Sequence, residues 1–318
     1  FLDTGSYIFN ALCSTSIFGG VSDNKITAIA GSEATGKTFF ALSICNNFMK
    51  QNPKGGVVYF DTEGAITKEL LEKRGMDPTG KQFLTIDCLT VEDFRNVAYK
   101  ILDKYNSQKE EDRQPMLMVL DSLGNLSTEK ETKDIADGKS VRDMSKAQLV
   151  KGAFRVLTQK LSIAKVPLIV LNHTYDVIGS YMPTKEMGGG SGLKYAATTI
   201  IYLSKSQEKE GTERVGNIIK AKVVKSRISK ENEQIATRLY YDKRGLDKYY
   251  GLLELAEKGG IWKKVSTRYE VDGKKIYGSE IYKNPEKYFT QEVLEQIDTV
   301  AKQTFSYGNG ESTTNDSE

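Results

Sequence analysis

Residues 25–40 read KITAIAGSEATGKTFF. Gly31, Gly36, Lys37 and Thr38 in this stretch match G-x-x-x-x-G-K-[ST], the pattern of a phosphate-binding loop. The apolar, partly β-branched run Ile26, Thr27, Ala28, Ile29, Ala30 reads as a buried strand leading into the loop. Phe39, Phe40, Ala41, Leu42, Ile44 and Cys45 read as the start of a buried helix, although an apolar run of this kind fits a strand as well. Glycines let the backbone curl round an anion, and the first amides of a helix point at it. Gly31, Ser32, Glu33, Ala34, Thr35, Gly36, Lys37, Thr38 and Phe39 are therefore the expected cradle for a nucleoside triphosphate, ATP being the expected one. Lys37 reaches the β- and γ-phosphates, and the Thr38 hydroxyl ligates Mg²⁺. A chance match in a turn would lack the strand before it and the helix after it.

Outward from this loop, apolar strands alternate with helices. Strands are expected at 55–60, 83–87, 116–120, 167–171 and 198–203, with helices at 67–74, 91–105 and 145–164 between them. In the last of these, Ala147, Val150, Phe154, Leu157 and Leu161 recur three or four apart, as one face of a helix requires. Such an order, with near-continuous apolar strands, predicts an α/β fold with a mostly parallel central sheet covered on both faces. From residue 217 the alternating segments NIIKAKVVKSR and QIATRLYYD predict antiparallel strands that extend the sheet. The expected organisation is a lead-in at 1–24, a core at 25–250, a small α+β piece at 251–303 and a tail at 304–318. That piece holds a helix at 251–259, a hairpin turning at Asp272–Gly273 and a helix at 290–301. The tail is expected to be disordered: from Gln303 onward it has no Lys or Arg and is rich in Ser, Thr, Asn and Gly. Phe1 is not a start methionine, so residues before it are expected in the natural protein.

Composition narrows the class. Charged residues make up 27% and hydrophobic ones 39% of the 318 residues, the balance of a globular protein. A net charge of +3 does not announce nucleic-acid binding, so any basic surface is local. Cys13, Cys45 and Cys88 stand far apart, which predicts a reducing compartment, the cytoplasm, and no zinc or disulfide framework. No apolar stretch has the length of a membrane span. His173 is the single histidine.

Asp121 closes the run MLMVLD, where a second acidic residue can hold the Mg²⁺ shell through water. Glu63 follows another strand in VVYFDTE, placed to polarise a water attacking the γ-phosphate, with Asp61 as its competitor. Two polar segments, 123–146 and 173–192, are too long for ordinary βα turns. The first carries five basic and five acidic residues and reads as a solvated or mobile excursion. The second sets Tyr175, Val177, Ile178, Tyr181, Met182 and Met187 among glycines, which suits either wedging between bases or packing beneath the domain.

LDTGS (2–6), GSEATGKT (31–38), YFDTEGAIT (59–67), VLDSLGNLSTEKET (119–132), VLNHTYD (170–176), MGGGSG (187–192) and VVKSR (223–227) keep their order and spacing over most of residues 2–257. In this set the chain resembles the RecA family of DNA strand-exchange proteins, its phage members in particular. The resemblance implies that Glu63 is the catalytic base, and that Lys225 and Arg227 reach the γ-phosphate of a neighbouring subunit. It also implies that His173 senses that phosphate, and that both polar segments line a filament axis and grip single-stranded DNA. The expected DNA contacts are Arg142, Lys146, Tyr181, Lys185, Met187, Gly188, Gly189, Gly190 and Gly192. The family's adenine-stacking tyrosine has no match here, Leu70 standing near its place. The implied activity is DNA-dependent ATP hydrolysis by a head-to-tail filament that pairs single-stranded DNA with homologous duplex. A mediator and a single-strand-binding protein are implied accessory partners. A hexameric helicase shares the same core residues. A small-molecule phosphotransferase is the rival of another class, but it predicts an arginine-bearing lid that this sequence lacks.

Overall fold

A computed structural model describes residues 1–138, 145–176, 185–188, 191–210 and 213–308. The main sheet is formed by β1 (Ile26–Gly31), β2 (Gly56–Asp61), β3 (Phe83–Asp87), β4 (Met116–Asp121), β5 (Leu168–Asp176), β6 (Lys185–Met187), β7 (Thr199–Glu210), β8 (Glu213–Ser226) and β9 (Gln234–Tyr240). Its order is β3-β2-β4-β5-β1-β7-β8-β9, with β6 attached to β5. The strands from β3 to β7 along this path run parallel, whereas β8 and β9 are antiparallel additions.

Alternate residues of each central strand feed opposite faces, as the period of two dictates. Ile29, Tyr59, Val119, Leu171 and Ile201 join one apolar cluster with Phe40, Ile44 and Cys45 of the helix Lys37–Gln51. Ala28, Phe60, Leu120, Val170 and Ile200 join the other, beneath the helices Val91–Asn106 and Lys146–Ala164. Burial on both faces is what makes these strands read as unbroken apolar runs.

Several elements differ from the expectations. Residues 129–136 of the first polar segment are helical, because Thr128 and Glu131 form a reciprocal capping box that supplies acceptors at the helix start. β5 does not stop at 171 but continues to Asp176, and its polar end is held by antiparallel pairing of Thr174 with Met187 and Asp176 with Lys185. The last helix, Gln291–Phe305, runs past the expected boundary at 303, since Phe305 is buried and its carbonyl accepts from the Lys230 N–H. The part after residue 250 carries the helix Leu252–Lys258 and the strands β10 (Lys263–Val265), β11 (Arg268–Val271) and β12 (Lys274–Tyr277). Its hairpin turns at Asp272 and Gly273, both with positive φ, as a tight two-residue turn requires. Trp262, Phe289 and Ile297 share one cluster with Phe9 and Leu12 of the helix Tyr7–Ser14, so the hydrophobic core is continuous across residue 250.

Candidate active site

The sheet order explains the site. β5 lies between the loop strand β1 and the acidic strand β4, with Ala30 level with Asn172 and Gly31 level with His173. β2 flanks β4 on the far side, with Asp61 level with Asp121. Phosphate loop, His173, Asp121 and Glu63 therefore meet along the carboxyl edge of four parallel strands, where such sheets collect ligands. They line one cleft of about 970 Å³ together with Thr67, Leu70, Asn125 and Tyr175.

The loop has the features an anion cradle needs. Gly36 holds a left-handed φ of 88° and precedes a helix of 15 residues that has no side-chain cap. Its first N–H groups are thus left to an external acceptor. Gly31 has no room for a side chain: a Cβ there would lie 2.8 Å from Thr35 Oγ1 and 2.9 Å from the Leu203 carbonyl oxygen. Lys37 is buried, and its ammonium donates to the carbonyls of Gly31 at 3.0 Å and Ser32 at 2.9 Å. Burial lowers its pKa, while the charges of Asp121, Glu63 and Glu33 act the other way.

Asp121 Oδ2 accepts two hydrogen bonds, from Thr38 Oγ1 at 2.7 Å and from the Tyr59 hydroxyl at 2.7 Å. Burial holds this carboxyl above the usual carboxylate range, and the two hydroxyl donors oppose that shift. The Tyr59 phenol is pushed well above its ordinary value, by burial first and by Asp121 next, so it remains a donor. A threonine hydroxyl beside a carboxylate at the start of an uncapped helix is the donor set that Mg²⁺ on a triphosphate requires, and these residues fit that group. Tyr59 was not singled out by sequence reasoning. The available signal was a tyrosine inside an otherwise apolar buried strand, which needs a partner for its hydroxyl.

Asp61 and Glu63 separate by environment. Asp61 is buried, and its oxygens cap the turn through the N–H groups of Glu63 at 3.0 Å and Ile66 at 2.9 Å. Glu63 stands exposed in the cleft. Its Oε1 accepts from Asn125 Nδ2, lies 3.5 Å from Ser122 Oγ and is 3.8 Å from His173 Nε2. Thr62 joins the strand ends beneath it, with its N–H on the Asp121 carbonyl at 2.8 Å and its hydroxyl accepting from the Ser122 N–H at 2.8 Å.

The second polar segment is tied to this edge. Asn172 Nδ2 donates to the Gly188 carbonyl at 2.8 Å, and the Gly188 N–H returns to the His173 carbonyl at 3.0 Å. Lys185 Nζ reaches Ser32 Oγ of the phosphate loop at 3.0 Å. Met187 is half-buried and packs on the second cluster. Gly192 is buried too: a Cβ there would come within 2.8 Å of the Lys151 Cα. This close approach of two backbones accounts for the glycine. Lys146 opens the helix Lys146–Ala164 and is half-buried. Arg142, Tyr181, Gly189 and Gly190 lie outside the described residues.

Lys225 and Arg227 lie elsewhere. Lys225 pairs with Ile200, which is level with Ala28, and the Arg227 N–H bonds the Thr198 carbonyl at 3.2 Å. Both therefore sit toward the amino end of β1, two strands across from Gly31 and about 10 Å (Lys225) and about 16 Å (Arg227) down the sheet. A register shift at Val224 and the end of β8 at Ser226 put Arg227 just outside the ladder, so strand periodicity does not place the two cations on one face. Arg227 is exposed. Lys225 Nζ donates to the carbonyls of Lys194 at 2.7 Å and Ala197 at 2.7 Å, at the end of the helix Ser191–Ala196.

A phosphate loop and an acidic strand separated by one intervening strand, with a glutamate on the next, define a phosphate-loop nucleotide-binding core. The RecA N-terminal domain family matches residues 2–247, and the chain belongs to the RecA family. It is 32% identical over 254 residues to the recombination and repair protein of Enterobacteria phage T4, an alignment covering 80% of this chain and 62% of that protein. It is 29% identical over 264 residues to the RecA protein of Arthrobacter sp. (strain FB24), covering 81% of this chain and 70% of that one. The RecA protein of Streptomyces rimosus is 28% identical over 260 residues, with 81% and 65% covered. The chain thus spans less than two thirds of the T4 protein's length, 62%.

Proposed function

We infer that this protein is an ATP-dependent DNA recombinase, which assembles head to tail on single-stranded DNA and pairs it with homologous duplex. The observation that carries the reading is the bonding of the β5–β6 hairpin to the nucleotide edge, through Asn172, the His173 carbonyl and Gly188, and through Lys185 on Ser32. A segment fixed in this way changes position with the state of the phosphates, which is the coupling a DNA-gripping loop needs.

The residues divide the work by position. The helix start and Lys37 bind the triphosphate, while Thr38 and Asp121 hold Mg²⁺, which when bound neutralises charge on the phosphate oxygens. Glu63 orients the attacking water and takes its proton, and His173 senses the γ-phosphate across the same cleft. Lys225 and Arg227 cannot serve their own loop from the opposite end of the sheet, so they act on the nucleotide of the next subunit. Such a heterologous contact generates an open helix. Lys146, Lys185, Gly188 and the segments around them face the polynucleotide. Met187 and Gly192 support these segments from below. The setting is the cytoplasm, where a single-strand-binding protein competes for the same DNA and a mediator relieves that competition.

The test is joint-molecule formation between a single strand and a homologous duplex, with ATP present or omitted. The reading expects ATP-dependent pairing that a heterologous duplex does not support. Unwinding of any duplex irrespective of homology would favour the hexameric helicase instead.

A further inference from the structure

Glu63 Oε1 has three neighbours, a long contact from Ser122 Oγ at 3.5 Å and two that are unlike each other. Asn125 hydrogen-bonds Oε1, whereas His173 Nε2 stands 3.8 Å from it, beyond hydrogen-bond distance. The mountings of these two neighbours differ as much as the distances. Asn125 ends the short 3₁₀ turn Leu123–Asn125, and the next residue, Leu126, is fully buried. Ser127 then fastens the chain to the strand-to-helix connection beside it: its N–H donates to the Leu89 carbonyl at 3.0 Å and its carbonyl accepts from the Val91 N–H at 2.9 Å. Thr128 completes the anchor as the cap of the following helix. Asn125 is therefore anchored through the residues that follow it, while Gly124 before it packs beside Asn172 and His173, where an added Cβ would lie 3.2 and 3.3 Å from their side chains. His173, by contrast, shares its backbone with the hairpin that meets the phosphate loop.

We propose that Asn125 is a positioning residue for the general base. Its amide holds one carboxylate oxygen of Glu63 so that the other faces the attacking water, and it does so equally with and without DNA. The DNA-responsive side of the base is His173. Glu63 thus works between a fixed donor, which sets the size of the hydrolytic rate, and a movable one, which sets its response to the polynucleotide. This inference rests on the reading of Glu63 as the base of a DNA-stimulated ATPase.

The test compares Asn125→Ala, Asn125→Asp and His173→Ala in steady-state ATP turnover with and without single-stranded oligonucleotide, alongside binding of a fluorescent ATP analogue. Asn125→Ala lowers kcat about tenfold, the order of one hydrogen bond to a charged group. KM, analogue affinity and the stimulation ratio stay unchanged. Asn125→Asp keeps the shape but has no donor, so a purely structural role would tolerate it, and the positioning role predicts a loss at least as large. His173→Ala brings the ratio toward one. An unchanged kcat in Asn125→Asp, or a stimulation ratio that collapses in Asn125→Ala, overturns the proposal. A wild-type protein whose turnover ignores oligonucleotide would instead overturn the underlying reading.

Discussion

Tyr59→Phe removes one hydroxyl from a fully buried ring and leaves its volume almost unchanged. That hydroxyl is one of two donors on Asp121 Oδ2, at 2.7 Å, in a site where the carboxylate has little access to water. When Asp121 is ionised the lost bond is to a charged group, worth about 2 kcal/mol; when it is protonated the loss is nearer about 1 kcal/mol. The pH dependence follows from the sign of the shift. The folded carboxyl titrates above its unfolded value, because burial disfavours the charge. Stability from this preference for the protonated form is complete below the unfolded value of about 3.9 and is lost as pH rises through the folded one. Deleting a donor to the ionised form raises the folded value further. The destabilisation by Tyr59→Phe should therefore grow from about 1 to about 2 kcal/mol as pH rises from about 4 through the folded value of Asp121. Urea unfolding of the nucleotide-free protein across that range, in Mg²⁺-free buffer, reads the difference directly. The same variant should need more Mg²⁺ to reach half-maximal binding of ATP. A penalty independent of pH, or greater at the acid end, would refute the assignment of Tyr59 as the hydroxyl that stabilises ionised Asp121.

Arg227→Ala should abolish DNA-stimulated turnover while single subunits still bind ATP; retained stimulation would remove the cation from the shared site. Gly192→Val should lower thermal stability itself, because its Cβ would meet the Lys151 backbone at 2.8 Å, and a variant that melts like the wild type but has lost DNA affinity would contradict the packing role. Asp298→Ala should cost about 3 kcal/mol by urea unfolding, since a buried carboxylate that accepts from Ser16 Oγ at 2.6 Å and the Ile17 N–H at 2.8 Å would be lost. Its unfolding should stay a single transition, because the core runs without a break from the N-terminal helix into the C-terminal part.

The central sheet was legible because β1, β2, β4 and β5 are buried on both faces, and a buried parallel strand leaves little but apolar residues in the sequence. The phosphate loop was legible because its glycines are required by backbone geometry. Contacts made across the fold were not legible. Thr174, Tyr175 and Asp176 look like loop residues, and they extend β5 only because β6 returns to pair with them. Gly192 looks like part of a flexible glycine run, yet it is small because a helix backbone passes against it. Tyr59 and Asn125 lie in segments whose sequence points to Asp61, Glu63 and Asp121, and their roles depend on which strands become neighbours. The helix at 129–136 was readable in principle from T-x-x-E at 128–131, but its high content of charge read as solvated loop.

The most direct measurement is the ATP turnover of the protein over a range of its own concentrations, with and without single-stranded oligonucleotide. A nucleotide site completed by the next subunit predicts turnover that rises faster than linearly with protein and increases when oligonucleotide aligns the subunits. Turnover strictly proportional to protein, and indifferent to oligonucleotide, would contradict it.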